Sequence, residues 1–267
     1  VVPVNIFFHE LRANRKSLLI WCGIVILFNL VGFSKYSAFY ENPELLSVLD
    51  GMPPALLSAL DMNTFNLTTV TGFFGVMVIY FNLILSIAAV MWGSDIVSKE
   101  ERDKTVEFSL TLPITRASLM TAKIAAVIMN CIVLLLVTWG STLIFAQRYQ
   151  PDSKFYHFVS LTMLTLLLLQ MIFMALGIFL GCVMKKHKQS SSMAVSILLV
   201  SYFISIITGL SKDLDFLKYI TPFNYFDPAA LLHESKLEPI FIVLSLVLIV
   251  VSITGAYLSY SKRDLYI

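Results

Sequence analysis

Charge is scarce in this sequence, and that scarcity excludes the largest class of proteins. Asp, Glu, Lys and Arg make up 13% of the 267 residues and apolar types 58%, whereas about a quarter of a soluble globular domain is charged. With a mean hydropathy of +0.82, the chain needs lipid as its solvent. Cysteine is also rare. Cys22, Cys131 and Cys182 fall inside or at the end of apolar runs, so neither a disulfide framework nor metal-ligand spacing can be read from them. The formal net charge of +2 is too small to point to a nucleic-acid partner.

The motifs of familiar chemistries are missing as well. There is no G-x-x-x-x-G-K-[ST] phosphate loop, so ATP and Mg are not expected to bind this chain. Gly140-Ser-Thr142 is not the G-x-S-x-G nucleophile elbow. The pair Glu100-Glu101 is followed by Thr105 where the EExxxR pattern of a membrane protease requires arginine. The interiors of the apolar runs hold no Asp, Glu, Arg or His, and Asp95 and Lys123 lie near run ends. Deep ionisable groups are the usual mark of proton relays and ion sites. No catalytic residue, metal or resident cofactor is therefore expected.

What the chain does have is six long apolar blocks, at about 17–38, 70–96, 119–146, 158–184, 193–210 and 239–260. Each is near the ~20 residues that carry a helix across ~30 Å of hydrocarbon, and barrel strands would be half as long and alternating. No small-residue cleavage pattern follows the first block, which reads as a span and not as a secretion signal. The prediction is an all-α membrane protein, one domain over residues 1–267 with six transmembrane helices.

The few basic residues are sorted by side. Of 19 Lys and Arg, thirteen lie in alternate segments: Arg12, Arg15 and Lys16; Lys99, Arg102, Lys104, Arg116 and Lys123; Lys185, Lys186 and Lys188; Lys262 and Arg263. Between them, on the other side, lie Lys35, Arg148, Lys154, Lys212, Lys218 and Lys236 among ten acidic residues. The positive-inside rule makes the first set cytoplasmic and places both termini inside.

Ahead of the first span, Val4, Phe7, Phe8 and Leu11 recur at helical spacing, with His9, Arg12 and Lys16 largely opposite. This reads as a short amphipathic helix lying in the cytoplasmic interface and turning into the first span; a frayed tail is the other reading. Outside, Pro53 and Pro54 suit the first turn of a helix over Ala55 to Leu60. The aromatic run from Lys218 to Pro228 suits an interfacial belt or a partly re-entrant hairpin. Within the spans, Asn29, Asn82, Asn130 and Gln170 read first as interhelical hydrogen-bonding amides, and Gly177-Ile-Phe-Leu-Gly181 as a helix-packing face. Tyr80, Phe81 and Asn82 on the second span, with Tyr202, Phe203 and Ser205 on the fifth, are candidates for an amphipathic substrate path.

The second basic segment is the most informative. Ser98 to Lys104 is hydrophilic, Thr105 can cap a new helix, and Val106, Phe108, Leu110 and Leu112 supply apolar surface before Pro113 stops it. Thr115 can then cap the third span. Such a helix fits a partner surface, or lies on the lipid interface for topology alone.

These residues resemble the permease subunits of type-2 ATP-binding-cassette (ABC) exporters. That family's common form is a Glu-rich stretch, then T-[LV]-E-x-L-L-x-L-P-[IV]-[ST]-R and a downstream lysine. Thr105, Val106, Glu107, Leu110, Leu112, Pro113, Ile114, Thr115, Arg116 and Lys123 fit it, while Ser109 stands where leucine is more frequent. The resemblance implies that Glu100, Glu101, Thr105, Val106, Glu107, Phe108, Leu110, Leu112 and Arg116 couple to an ATPase. It further implies that Phe7, Phe8, Leu11 and Arg12 belong to an interfacial helix that responds to the same push. Two separate cytoplasmic ABC ATPase subunits would supply ATP and Mg, and a second permease, the same chain or a homologue, would complete the path. A multi-pass protein of a bacterial plasma membrane is the implied setting. The rival reading is a membrane-embedded enzyme or sensor that recruits a cytoplasmic regulator through the same loop.

Overall fold

In a computed structural model, the described residues are 2–40, 53, 65–102, 115–184, 187–210, 212–234 and 236–262. Every regular element among them is helical. We number α1 Val2–Phe39, α2 Val70–Arg102, α3 Arg116–Ala146, α4 Ser153–Val183, α5 His187–Leu210, α6 Pro228–Glu234 and α7 Pro239–Lys262, with short 3-10 turns at Gln147–Tyr149, Lys212–Tyr219 and Pro222–Asn224. All but α6 are long and apolar enough to cross a membrane.

Helix ends follow local chemistry. The Thr115 hydroxyl accepts from the Ser118 amide at the start of α3, as the sequence predicts, and the Asp152 carboxylate accepts from Phe155 N at the start of α4. Between α3 and α4, Gln150 takes a left-handed conformation (φ 48) that closes a tight turn. Pro239 opens α7 at the position where its missing N–H is not needed. The helices run beyond their apolar blocks because the flanking polar residues are good helix formers.

Hydrogen bonds at the two ends of the bundle fix an up-and-down order. At one end, Lys123 of α3 meets Glu10 of α1 and Ile96 of α2, Arg116 reaches the Ser261 carbonyl of α7, and Ser259 donates to the Cys182 carbonyl of α4. At the other, the Tyr149 hydroxyl donates to Phe33 O and the Tyr36 hydroxyl to Thr68 O. The described N- and C-terminal segments thus share the end that carries the basic segments.

α2, α3 and α4 form the centre, with over half of their most apolar stretches buried, while α1, α5 and α7 leave most of theirs exposed. The α2–α4 contact is the closest. A Cβ on Gly177 would lie 2.5 Å from the Val90 carbonyl oxygen, one on Gly181 would lie 2.9 Å from that of Ser94, and one on Gly93 would strike the Met174 carbonyl. The Gly177–Gly181 face is therefore a packing face, with backbones meeting where small residues allow it.

Two sequence expectations are refined. α1 continues through residues 12–17 without a break, so the amphipathic segment does not turn away from the span. Nothing between Val4 and Ser17 breaks a helix, and a third face of the segment packs inward: Ile6, Glu10 and Asn14 lie in line with Trp21 and Val25. For residues 211–238, the re-entrant reading fits. The Thr221 hydroxyl donates to Ser201 O, and the Phe223 ring meets that of Phe173 in a tilted arrangement at 5.0 Å between centroids. Ser201 and Tyr202, which Thr221 and Phe223 meet, lie about 12–14 Å along α5 from its end at Leu210, at 1.5 Å per residue. The segment dips well below the ends of the spans.

Candidate functional site

Two places concentrate functional chemistry, one at each end of the bundle. At the end away from the basic segments, the re-entrant segment, α2 and α5 enclose a cavity of about 390 Å3. Tyr80 and Asn82 of α2 and Tyr202 and Ser205 of α5 line it. Tyr202 meets Phe223 edge-on at 5.3 Å, and the Tyr225 ring stacks on Phe241 at 5.3 Å. The Tyr225 hydroxyl donates to Tyr219 O at 2.8 Å, and burial pushes that phenol's pKa up. Lys218, Lys236, Asp227 and Glu238 bring charge to the same cavity. Asp227 is partly committed, since its carboxylate caps α6 by accepting from Ala229 N.

This gathers four of the six substrate-path candidates. Phe81 is not among them; it is fully buried against Phe28 and Phe74. Phe203 is 60% exposed and also outside the lining. Successive helical residues differ by about 100°, so with Phe81 turned to the core, Tyr80 and Asn82 stand about 100° to either side of it. Asn82 is buried and makes no hydrogen bond within the described residues, which leaves its amide available to a ligand.

At the basic end, one ammonium joins three helices. Lys123 Nζ lies 3.2 Å from Glu10 Oε1 and 2.9 Å from the Ile96 carbonyl oxygen, and the lysine is 1% exposed. Nearby, Trp92 Nε1 donates to Ser17 Oγ at 2.9 Å. Arg116 Nη1 donates to Ser261 O at 3.3 Å, and the Thr121 and Tyr257 hydroxyls share a hydrogen bond of 2.7 Å. These contacts tie both roots of the second basic loop to the bundle. The loop residues Thr105, Val106, Glu107, Phe108, Leu110 and Leu112 lie outside the described residues, as do Pro54 and Ala55 to Leu60. Glu100 and Glu101 are on the last turns of α2, with side chains outside the description. On α1, Phe8 and Arg12 are exposed, and Phe7 and Leu11 are partly buried.

The four intramembrane amides divide. Asn29 fits the packing reading, donating to Ser141 Oγ at 2.9 Å and accepting from Thr142 Oγ1 at 3.2 Å. Asn130 and Gln170 do not: both are fully buried, and neither side chain finds a hydrogen-bond partner among the described residues. Sequence reasoning also missed Glu10. Its signal was available, because it is the only acidic residue before Glu41 in a segment rich in Lys and Arg. The described residues contain no cluster of His, Cys, Asp or Glu suited to a metal.

No curated protein matches the chain. A family model described as ABC-2 family transporter protein matches residues 4–265, nearly its whole length. Six membrane-length helices, tied ends around the second loop and that match lead to one assignment: the chain belongs to the ABC-2 transporter family, as a membrane-spanning transporter component.

Proposed function

We propose that the chain is the permease subunit of an ATP-driven exporter, powered by two separate cytoplasmic ATPase subunits and paired with a second permease, the same chain or a homologue. The observation that carries this reading is the match to the T-[LV]-E-x-L-L-x-L-P-[IV]-[ST]-R form over Thr105 to Arg116, within a chain whose family is ABC-2. In this reading the Thr105–Leu112 segment docks on the ATPase, with Glu100, Glu101, Glu107, Phe108 and Arg116 around it. ATP-driven closure pushes on that segment and on Phe7, Phe8, Leu11 and Arg12 of α1. The helices then exchange between inward-open and outward-open arrangements, two global states biased by nucleotide.

An amphipathic cargo suits the outer cavity. Its walls are aromatic, Asn82, Tyr202 and Ser205 offer hydrogen bonds, and its charges of both signs come from the re-entrant segment and the approach to α7. The charge sorting favours a cytoplasmic basic end, and a bacterial plasma membrane is the setting that the family resemblance implies.

The test replaces Leu110 and Leu112 by Asp. An ATPase-binding surface loses its apolar contacts, while the six spans are untouched. The expected result is a permease that inserts normally and no longer retains the ATPase in pull-down; undiminished retention would refute the docking role.

A further inference from the structure

The Glu10–Lys123 pair is an unfavourable way to stabilise a helix contact. Both side chains are buried, and among the described residues Glu10 Oε2 has no hydrogen-bond partner. Removing two charges from water is costly unless every lone pair and proton is met, and apolar residues of similar volume often do as well or better. What an ion pair provides that apolar packing does not is register, because the contact is directional and cannot slide.

Its location gives that register a purpose. Ile96 is about two turns before the end of α2, and Lys123 is two turns after the start of α3. One ammonium therefore holds both roots of the second loop, and through Glu10 it also holds α1. α1, an unbroken helix of 38 residues, runs from this point to the outer end of the bundle. A displacement received at Glu10 is carried along it as along a rod.

We propose that the Glu10–Lys123 ion pair is the pin through which movement of the second loop reaches α1, so that both are positioning residues for ATP-driven transport. This rests on the exporter reading. Neither residue touches cargo or nucleotide; together they make α1 follow the α2–α3 roots.

The experiment uses the permease with its co-purified ATPase in lipid nanodiscs. Spin labels are placed through Lys35→Cys at the outer end of α1 and Lys154→Cys at the start of α4, both exposed, in a Cys22→Ser background. In the otherwise unaltered protein, ATP and Mg trapped with vanadate shift the distance between the labels. Glu10→Gln leaves ATPase binding and the KM for ATP unchanged and abolishes the shift. A second variant, Glu10→Leu with Lys123→Met, keeps apolar packing without charge; it elutes as a folded complex and shows less than half of the shift. A full shift in Glu10→Gln or in the Leu/Met pair overturns the pin. Failure of the unaltered chain to retain any ATPase overturns the exporter reading itself, and the pin with it.

Discussion

The α2–α4 seam makes a prediction whose sign is opposite to what helix propensity alone gives. Alanine is a better helix former than glycine by about 0.8–1.0 kcal/mol, so Gly→Ala in an open helical site stabilises. Gly140 is such a site, with nothing within 4 Å of the position a Cβ would take. At Gly177 the same methyl lands 2.5 Å from Val90 O and 3.0 Å from Ser94 N, both backbone atoms that cannot rotate aside. Relief requires α2 and α4 to part by several tenths of an ångström to about 1 Å, and gaps of that size forfeit a quarter to a half of each contact's attraction. Overpacking of this kind costs about 1–3 kcal/mol. After the propensity gain, Gly177→Ala is expected to destabilise by up to about 2 kcal/mol and Gly140→Ala to stabilise by up to about 1 kcal/mol. Reversible unfolding in mixed micelles, followed by tryptophan fluorescence, measures both. If Gly177→Ala is as stable as Gly140→Ala, the backbone-to-backbone seam is wrong.

The buried amides separate in the same assay. Asn29→Leu removes two interhelical hydrogen bonds and is expected to cost about 0.6–2 kcal/mol, whereas Gln170→Leu and Asn130→Leu replace amides that have no partner among the described residues and are expected to be neutral or stabilising. For topology, Thr105→Cys is expected to resist an impermeant thiol reagent in intact cells and to react once the membrane is opened; labelling in intact cells would reverse the assigned orientation. In the outer cavity, Asn82→Leu is expected to lower ATP-driven efflux of amphipathic dyes at least several-fold while ATPase binding is retained, and unchanged efflux would remove Asn82 from the path.

Much of the fold was legible because long apolar runs have one solution in lipid. The six helices cover the six blocks, and the Thr115 cap and the Gly177–Gly181 packing face needed only local chemistry. The course of α1 was harder to read. Its apolar stripe through Val4, Phe7, Phe8 and Leu11 is real but stays wholly or partly exposed, while the polar residues Glu10 and Asn14 turn inward. Binary patterning reads polar as solvent-facing, and a buried charge pair reverses that rule only when its partner, here 113 positions away, is known. The outer cavity was half legible for a related reason. Sequence chooses the helices α2 and α5, but rotation decides that Tyr80 and Asn82 face the cavity and Phe81 the core. Asn29 and Gln170 look alike in sequence, yet only Asn29 meets hydroxyls, which depends on the neighbouring helix.

The central claim is that this membrane protein works with a separate ATPase. Purification of the tagged chain from its native membrane in mild detergent tests it most directly. The account predicts that an ATP-hydrolysing subunit with a G-x-x-x-x-G-K-[ST] motif co-purifies in equal amount, and that Leu110→Asp with Leu112→Asp releases it. A stable, correctly inserted chain that carries no such subunit would contradict the account.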